Sequence, residues 1–245
     1  MDDSDLSQIY KTERFAVIIP AYNHDRKVAD VVRDTLKLDI PVFVVDDGST
    51  DSTFDRIKGL NNIQILRHPF NRGKGAAIMT GFAEAVTVAD WAITLDADGQ
   101  HHPEDAKELI RAIPKHQRPI VVGTRKGMMK ANAPWTSRFG RKFSNFWVWV
   151  SGGPHITDSQ SGFRLYPLPE SMDLNVKARR FQFEVEVLVK AKRKRIPVIE
   201  TPVRVTYQQG PQKISHFRPF VDFFRNFGTF SRLITQRVFG LGKRN

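Results

Sequence analysis

The chain has 245 residues, 40% of them hydrophobic, which suffices to fill the core of one large α/β domain or two small ones. It contains no cysteine, which removes disulfides, zinc–thiolate sites and thiol nucleophiles together and fits a reducing compartment. A formal net charge of +12 calls for an anionic partner: nucleic acid, an anionic membrane surface or a phosphorylated substrate.

Residues 1–5 carry three aspartates and a serine, without the basic-then-apolar order of a secretory signal. No apolar run approaches the roughly 20 residues of a membrane span. Residues 15–20 then predict a first buried strand. Tyr22, Asn23, His24 and Asp25 turn the chain, and Val28, Val31, Val32, Thr35 and Leu36 recur at helical spacing. Residues 42–45 predict a second strand, ended by Asp46, Asp47 and Gly48. Ser49, Thr50 or Asp51 can cap the short helix that follows. Residues 63–66 predict a third strand, and Asn71, Arg72, Gly73, Lys74 and Gly75 open a longer helix through Val88. Residues 91–95 supply the next strand. This β-α alternation, without a fixed-period repeat or a low-complexity linker, predicts a mostly parallel sheet with helices on both faces.

Asp96 and Asp98 leave that strand's carboxyl end one residue apart, and Gly99 permits a sharp turn after them. Positions i and i+2 of an extended chain point the same way. The two carboxylates can therefore converge on one hard cation, Mg²⁺ or Mn²⁺, with Gln100 adding a neutral oxygen. The alternative is a solvated turn. Ligands of open α/β sheets sit outside the carboxyl ends of the strands, where three polar clusters fall: Pro20 to Asn23, Asp46 to Ser49, and Asp96 to Asp98. A nucleotide would use all three. Pro20 and Tyr22 could cover the base, Asp47 could accept from a base or ribose donor, and a metal at Asp96 and Asp98 would bridge the diphosphate. Arg72 and Lys74 add positive charge beside a helix amino terminus. The competing reading has Asp46 and Asp47 capping a turn and Gly73 and Gly75 only letting the helix start. Neither G-x-x-x-x-G-K-[ST] nor G-x-G-x-x-G occurs at the first strand, which argues against a P-loop ATPase and a standard dinucleotide dehydrogenase.

In the second half, residues 120–123 predict a strand with Thr124 and Arg125 at its end, followed by a basic loop over 126–134. Phe139, Phe143, Phe146, Trp147 and Val150 recur at helical spacing with Arg138, Arg141 and Lys142 among them, as core or as the wall of an acceptor groove. Residues 158–162 read as a loop before a strand at 163–166, with Gly162 giving the backbone room to approach a ligand. Glu184 and Glu186 begin a helical segment. They could position an acceptor, act as a base, or form a solvated helix start favoured by the macrodipole. The basic run 192–195 reads as a solvated face, and 197–207 as a last strand. Finally Phe220, Phe223, Phe224, Phe227, Phe230 and Ile234 gather on one side of a helix, opposite Arg218, Arg225 and Arg232. Such a helix lies in a membrane interface or docks its phenylalanines on the domain.

Residues 44–51, 71–75 and 95–101, extended by 158–164 and 181–186, resemble the signature of family 2 glycosyltransferases with the GT-A fold. The nearer likeness is to the polyprenol-phosphate (dolichol-phosphate) mannosyltransferase-like branch. The resemblance spans residues 14–216 and implies a Rossmann-like GT-A domain there, leaving 217–245 as an amphipathic helix and tail. It implies a nucleotide site of Pro20, Tyr22, Asn23, Asp46, Asp47, Arg72, Lys74 and Asp96, with Asp47 on the nucleoside. Asp96, Asp98 and Gln100 become metal ligands, and Arg125, Arg138 and Arg204 candidates for donor or acceptor phosphates. Gln160, Ser161 and Gly162 fall on the acceptor side, as does Lys213. The chain departs from the branch in lacking transmembrane helices after this domain and in matching its Gly/Ser/Lys-containing segment only in part at 209–217. Another lipid, or a lipid-linked intermediate, therefore stays open as acceptor.

A hydroxyl acceptor needs a base, with Glu184 the candidate, whereas a phosphate monoester has a second pKa of about 6 and is already ionised at neutral pH. The many arginines and the lack of an unmistakable base favour phosphate as nucleophile. The expectation is a metal-dependent, inverting transfer from a nucleoside-diphosphate sugar to a lipid-linked acceptor such as polyprenyl phosphate, with Asp96, Asp98, Arg125 and Glu184 at the reacting centre. The protein is expected in the cytoplasm, peripheral on the inner face of the membrane and in contact with anionic lipid. The enzyme rival is a sugar nucleotidyltransferase, which would release pyrophosphate. The other is a basic nucleic-acid-binding module, opposed by the carboxylates at 46, 47, 96 and 98; no nucleic-acid partner is expected.

Overall fold

The computed structural model describes residues 12–125, 135–206 and 219–239 together with residue 9, and for 135–139 and 219–227 the backbone course alone. Its strands are β1 Phe15–Ala21, β2 Val42–Asp46, β3 Gln64–Arg67, β4 Trp91–Thr94, β5 Ile120–Arg125, β6 Arg164–Pro167 and β7 Val198–Val203. They form one sheet in the order β3-β2-β1-β4-β6-β5-β7. β1 pairs in parallel with β2 and β4, β2 with β3, and β5 with β7. β6 alone runs antiparallel, between β4 and β5.

The helices are α1 Val28–Leu36, α2 Thr53–Ile57, α3 Lys74–Ala85, α4 Ala106–Arg111 behind a 3₁₀ turn at Pro103–Asp105, α5 Trp135–Val150, α6 Phe183–Arg193 and α7 Pro219–Val238. They cover both faces, so the central strands β1 and β2 are buried at every position and read as continuous apolar runs. Side chains alternate between two cores as the pleat demands. Phe15, Val17 and Ile19 pack with Val32, Ile57 and Trp91 on one side. Ala16 and Ile18 pack with Phe82, Tyr166 and Leu188 on the other.

The predicted stripe of α1 is buried at Val28, Val31, Val32 and Thr35. α3 stops short of the predicted Val88, because the Thr87 and Val88 N–H groups donate to Glu84 and Ala85, three residues back, and tighten the end into a turn. β7 is shorter than the predicted 197–207 because the chain leaves β5 after Val203. Val205 bridges His101, and the Thr206 N–H donates to the Gln100 carbonyl at 2.8 Å. The basic loop 126–134 and the segment 209–217 lie outside the described residues.

The aromatic face of the last helix docks on the domain over the residues whose side chains are described. Phe230 is 2% exposed and Leu233 fully buried, with the Phe230 ring 6.0 Å from Trp147 of α5. Burying a phenylalanine so stabilises by about 1.5–3 kcal/mol. Arg232 is tied to Glu186 of α6 at 2.6 Å. Phe220, Phe223, Phe224, Phe227, Arg218 and Arg225 lie outside the described side chains. No helix among the described residues is long and apolar enough to cross a membrane.

Candidate active site

Parallel register sets the site. Ala21 lies beside Asp46 and Ile18 beside Thr94, so the turns after β1, β2 and β4 open on one edge of the sheet. At the end of β1, Asn23 takes a left-handed φ of 54° and links two loops. Its N–H donates to Ser49 Oγ at 3.0 Å, and its Oδ1 accepts from the Thr50 N–H at 2.9 Å. None of the three candidate caps occupies the N-cap of α2, which is Ser52; Asp51, one residue earlier, accepts from the Thr53 N–H through Oδ1 at 2.9 Å.

After β2, the Asp46 and Asp47 carboxylates are buried and hold loops in place. Asp46 Oδ1 accepts from the Ser49 N–H at 2.9 Å, and Arg67 Nε lies 3.0 Å from Oδ2. Asp47 Oδ1 accepts from the Arg72 N–H at 2.8 Å and Oδ2 from the Gly73 N–H at 2.7 Å, while His68 Nδ1 stands 2.7 Å from Oδ1. Asp47 thus shapes the turn that starts α3. Arg72 itself is exposed, Tyr22 half-buried, and Pro20 is buried within β1.

At the start of α3, Lys74 reaches across the edge of the sheet. Its Nζ lies 2.6 Å from Asp96 Oδ1, just beyond β4, and 2.5 Å from Glu184 Oε1 in the first turn of α6. Gly162 backs this pair: a Cβ there would stand 2.4 Å from Asp96 Oδ2 and 2.5 Å from Lys74 Nζ. The groups that need glycine's missing side chain are therefore the protein's own carboxylate and ammonium. Thr94 Oγ1 donates to the Gly162 carbonyl at 2.7 Å and fixes that backbone to β4.

Burial alone would lower the Lys74 ammonium, but Asp96 and Glu184 outweigh it and hold it above the usual lysine range. Burial pushes Asp96 up, and Lys74 more than reverses that. Asp98, raised first by burial and then by the charge of Asp96, is pushed up to about 6. The two carboxylates thus feel each other across the turn. Gln100 donates its backbone N–H to Asp98 Oδ1 at 3.0 Å and its side-chain amide to Oδ2 at 2.8 Å. In this arrangement it orders Asp98.

Among the described residues no group of three or more His, Cys, Asp or Glu side chains is placed to hold a metal. A pair of carboxylates nonetheless fits Mg²⁺ or Mn²⁺, which take one or two from the protein and the rest from substrate phosphates and water.

The far wall of the site is built from the segment before β6. Asp158 accepts from Arg125 Nε and Nη2, each at 2.7 Å, in a bidentate pair. Burial would raise the Asp158 carboxyl, yet Arg125 holds it below the usual range. Ser161 is buried, and Gln160 half-buried beside it. The fully buried Arg164 donates to the carbonyls of Ser161 (2.7 Å), Ser159 (2.8 Å) and Glu184 (2.8 Å), gathering this loop to the start of α6. His101 packs its ring 5.3 Å from Phe163, and burial pushes it down to about 4.

Sequence reasoning missed both Arg164 and His101. The signal for Arg164 was an arginine inside an otherwise apolar strand; none pointed to His101 beyond its place after Gln100.

Two candidates face elsewhere. Arg204 donates to Asp105 through its N–H and Nε and pairs with Glu104 at 2.5 Å, at the margin of the site. Glu186, two residues after Glu184 and so about 200° around the helix, is fully buried. It accepts from the Ala178 N–H and pairs with Arg232 and Lys190. Only Glu184 of this pair faces Lys74. The side chains of Arg138 and Lys213 lie outside the described residues.

Comparison with known proteins agrees with this fold. The model of glycosyl transferase family 2 matches residues 16–168. An N-acetylglucosaminyltransferase of Methanococcus voltae, acting between UDP-N-acetylglucosamine and dolichyl phosphate by its name, is 32% identical over 79% of this chain and 86% of its own. A polyprenol monophosphomannose synthase of Mycolicibacterium smegmatis is 27% identical over 86% and 84%. Among solved structures, glucosyl-3-phosphoglycerate synthase of Mycobacterium tuberculosis superposes with a TM-score of 0.74 at 17% identity, over 96% of this chain and 85% of that one. At that identity it supports the GT-A fold alone; the same enzyme has also been solved with Mn²⁺ and UDP, at a TM-score of 0.69. With the family model covering more than half its length, the chain belongs to the family 2 glycosyltransferases.

Proposed function

We propose that the protein transfers a sugar, with inversion, from a nucleoside-diphosphate sugar to a lipid-linked phosphate acceptor of the polyprenyl phosphate kind. The observation that carries this reading is the convergence of Asp96, Asp98 and Lys74 where β4 ends and α3 begins. The names of two relatives, one acting on dolichyl phosphate and one making a polyprenol monophosphate sugar, support the acceptor class. In the proposed complex Asp96 and Asp98 hold Mg²⁺ or Mn²⁺, and Lys74 at the start of α3 receives the diphosphate. Bound there, the ion supplies positive charge that stabilises the departing nucleoside diphosphate. Pro20, Tyr22 and Asn23, with Arg72 and the loops ordered by Asp46 and Asp47, form the nucleoside side.

The acceptor side comprises Arg125, Gln160, Ser161 and Gly162, with Arg138 and Lys213. Arg204, occupied by Asp105 and Glu104, braces the margin instead. Glu184, the candidate base, is paired with Lys74 at 2.5 Å. A phosphate acceptor, ionised at neutral pH, needs no base. Peripheral contact with anionic membrane on the cytoplasmic side completes the reading, since it brings the protein to a lipid acceptor; flotation with anionic liposomes tests it, and a protein left at the bottom of the gradient refutes it. The reaction itself is tested by a panel of UDP- and GDP-sugars with Mn²⁺ and polyprenyl phosphate. Glycolipid formed with nucleoside diphosphate is the expected result. Pyrophosphate release would instead identify a nucleotidyltransferase.

A further inference from the structure

In this site a lysine stands where a divalent cation is called for. Lys74 Nζ is within 2.6 Å of Asp96 and 2.5 Å of Glu184, side chains contributed by two different elements, and Gly162 closes the space behind them. We propose that Lys74 is a built-in counter-ion, which withholds Asp96 from a divalent cation until a donor diphosphate takes over the ammonium. The proposal rests on the donor reading above and adds to it a coupling between metal and nucleotide.

The physical argument is one of shared charge. Asp96 Oδ1 serves the ammonium, so a divalent ion on the same carboxylate would sit beside a like charge in a largely buried place, where such repulsion is poorly screened. A diphosphate relieves it. Lysine offers three donors on a flexible stem, and Lys74 is the first residue of α3, with the Arg72 and Gly73 N–H groups beside it committed to Asp47. The ammonium is therefore the group at this helix start able to move to an incoming phosphate. When it swings away, Asp96 is released and stands beside Asp98. Metal and diphosphate then favour each other's binding, and by linkage the effect is reciprocal.

The test measures Mn²⁺ binding to the protein alone, from the electron paramagnetic resonance signal of free Mn²⁺, with no turnover involved. Lys74→Met keeps the stem and removes the charge. It should bind Mn²⁺ about ten-fold or more tighter than the unaltered protein, a coupling of ordinary size. Lys74→Arg should stay as weak as the original, and adding Asp96→Asn to Lys74→Met should abolish the gain. Lys74→Gln replaces Lys74→Met if the latter does not fold, as judged by circular dichroism. A neutral variant that binds Mn²⁺ no tighter than the original protein overturns the proposal. The donor site is read separately, by UDP or GDP binding to the unaltered protein, so either idea can fail with the other intact.

Discussion

Gly162→Ala separates the chemistry of the site from the stability of the fold. The new methyl carbon would stand 2.4 Å from Asp96 Oδ2, 2.7 Å from Asp96 Oδ1 and 2.5 Å from Lys74 Nζ, all far inside contact distance. These atoms are the free ends of side chains and can be pushed aside by rotation, so the fold gives way cheaply. We expect a stability loss below about 1 kcal/mol, under the usual 1–3 kcal/mol of overpacking. The displaced carboxylate and ammonium are the groups assigned to metal and diphosphate, and a misplacement of about 1 Å costs on the order of 100-fold in rate.

Gly48→Ala is the counterpart. Its Cβ would meet backbone atoms of Phe70 and Asn71 at 2.4–2.7 Å, and its φ of +69° is unfavourable for alanine. It should lose about 1–3 kcal/mol or more, or about 2–12 °C in melting temperature for a domain of this size. Thermal melts and sugar-transfer rates of the two variants read both quantities. If Gly162→Ala kept nearly full activity, or lost as much stability as Gly48→Ala, the packing of Gly162 against Asp96 and Lys74 would not be as described.

Further expectations follow from the same geometry. His101 is pushed by burial from 6.5 down to about 4. A base whose folded pKa is depressed stabilises fully above its unfolded value, and that contribution fades as pH falls from about 6.5 to 4. His101→Phe should therefore flatten the fall of melting temperature over this window, and an unchanged slope would contradict a buried neutral ring. Arg164→Met leaves three buried carbonyls without their donor, at about 1–3 kcal/mol each if water cannot replace it. Urea denaturation should show a loss of several kcal/mol, and a loss below about 1 kcal/mol would argue against its gathering role. Breaking the buried Asp158 pair with Asp158→Asn should destabilise by about 3–5 kcal/mol at neutral pH. Asp158 has a depressed folded pKa, so its contribution is present above the ordinary carboxylate range and fades as pH falls through the folded value. The gap in melting temperature between the two proteins should therefore close in acid.

The central strands were legible because burial on both faces writes them as unbroken apolar runs, and the polar residues at their ends then mark the site. The placement of Asp96 and Asp98 just beyond β4 followed from that alone. What pairs with them did not, since Lys74 meets Glu184 across 110 residues of chain. β6 hid its direction: an antiparallel strand between two parallel neighbours carries no local sign. The resemblance made Arg204 a candidate phosphate ligand, and the structure pairs its guanidinium with Asp105 from the turn before α4. The sequence also did not show that the Asp47 carboxylate accepts from the Arg72 and Gly73 N–H groups and so organises the turn before α3. Of the stripe predicted for α5, Phe143, Trp147 and Val150 are half-buried and Phe146 is exposed, while the fully buried Val148 lies outside it. Helical spacing finds an apolar stripe but says nothing of how much of it a neighbour covers.

The most direct test of the account is calorimetric titration of UDP and GDP into the protein with Mn²⁺ and with a chelator, repeated on Asp98→Ala. The account predicts that one nucleotide binds in a metal-dependent manner and that Asp98→Ala removes the metal dependence while the protein stays folded. Equal binding with and without Mn²⁺, or binding untouched by Asp98→Ala, would contradict it.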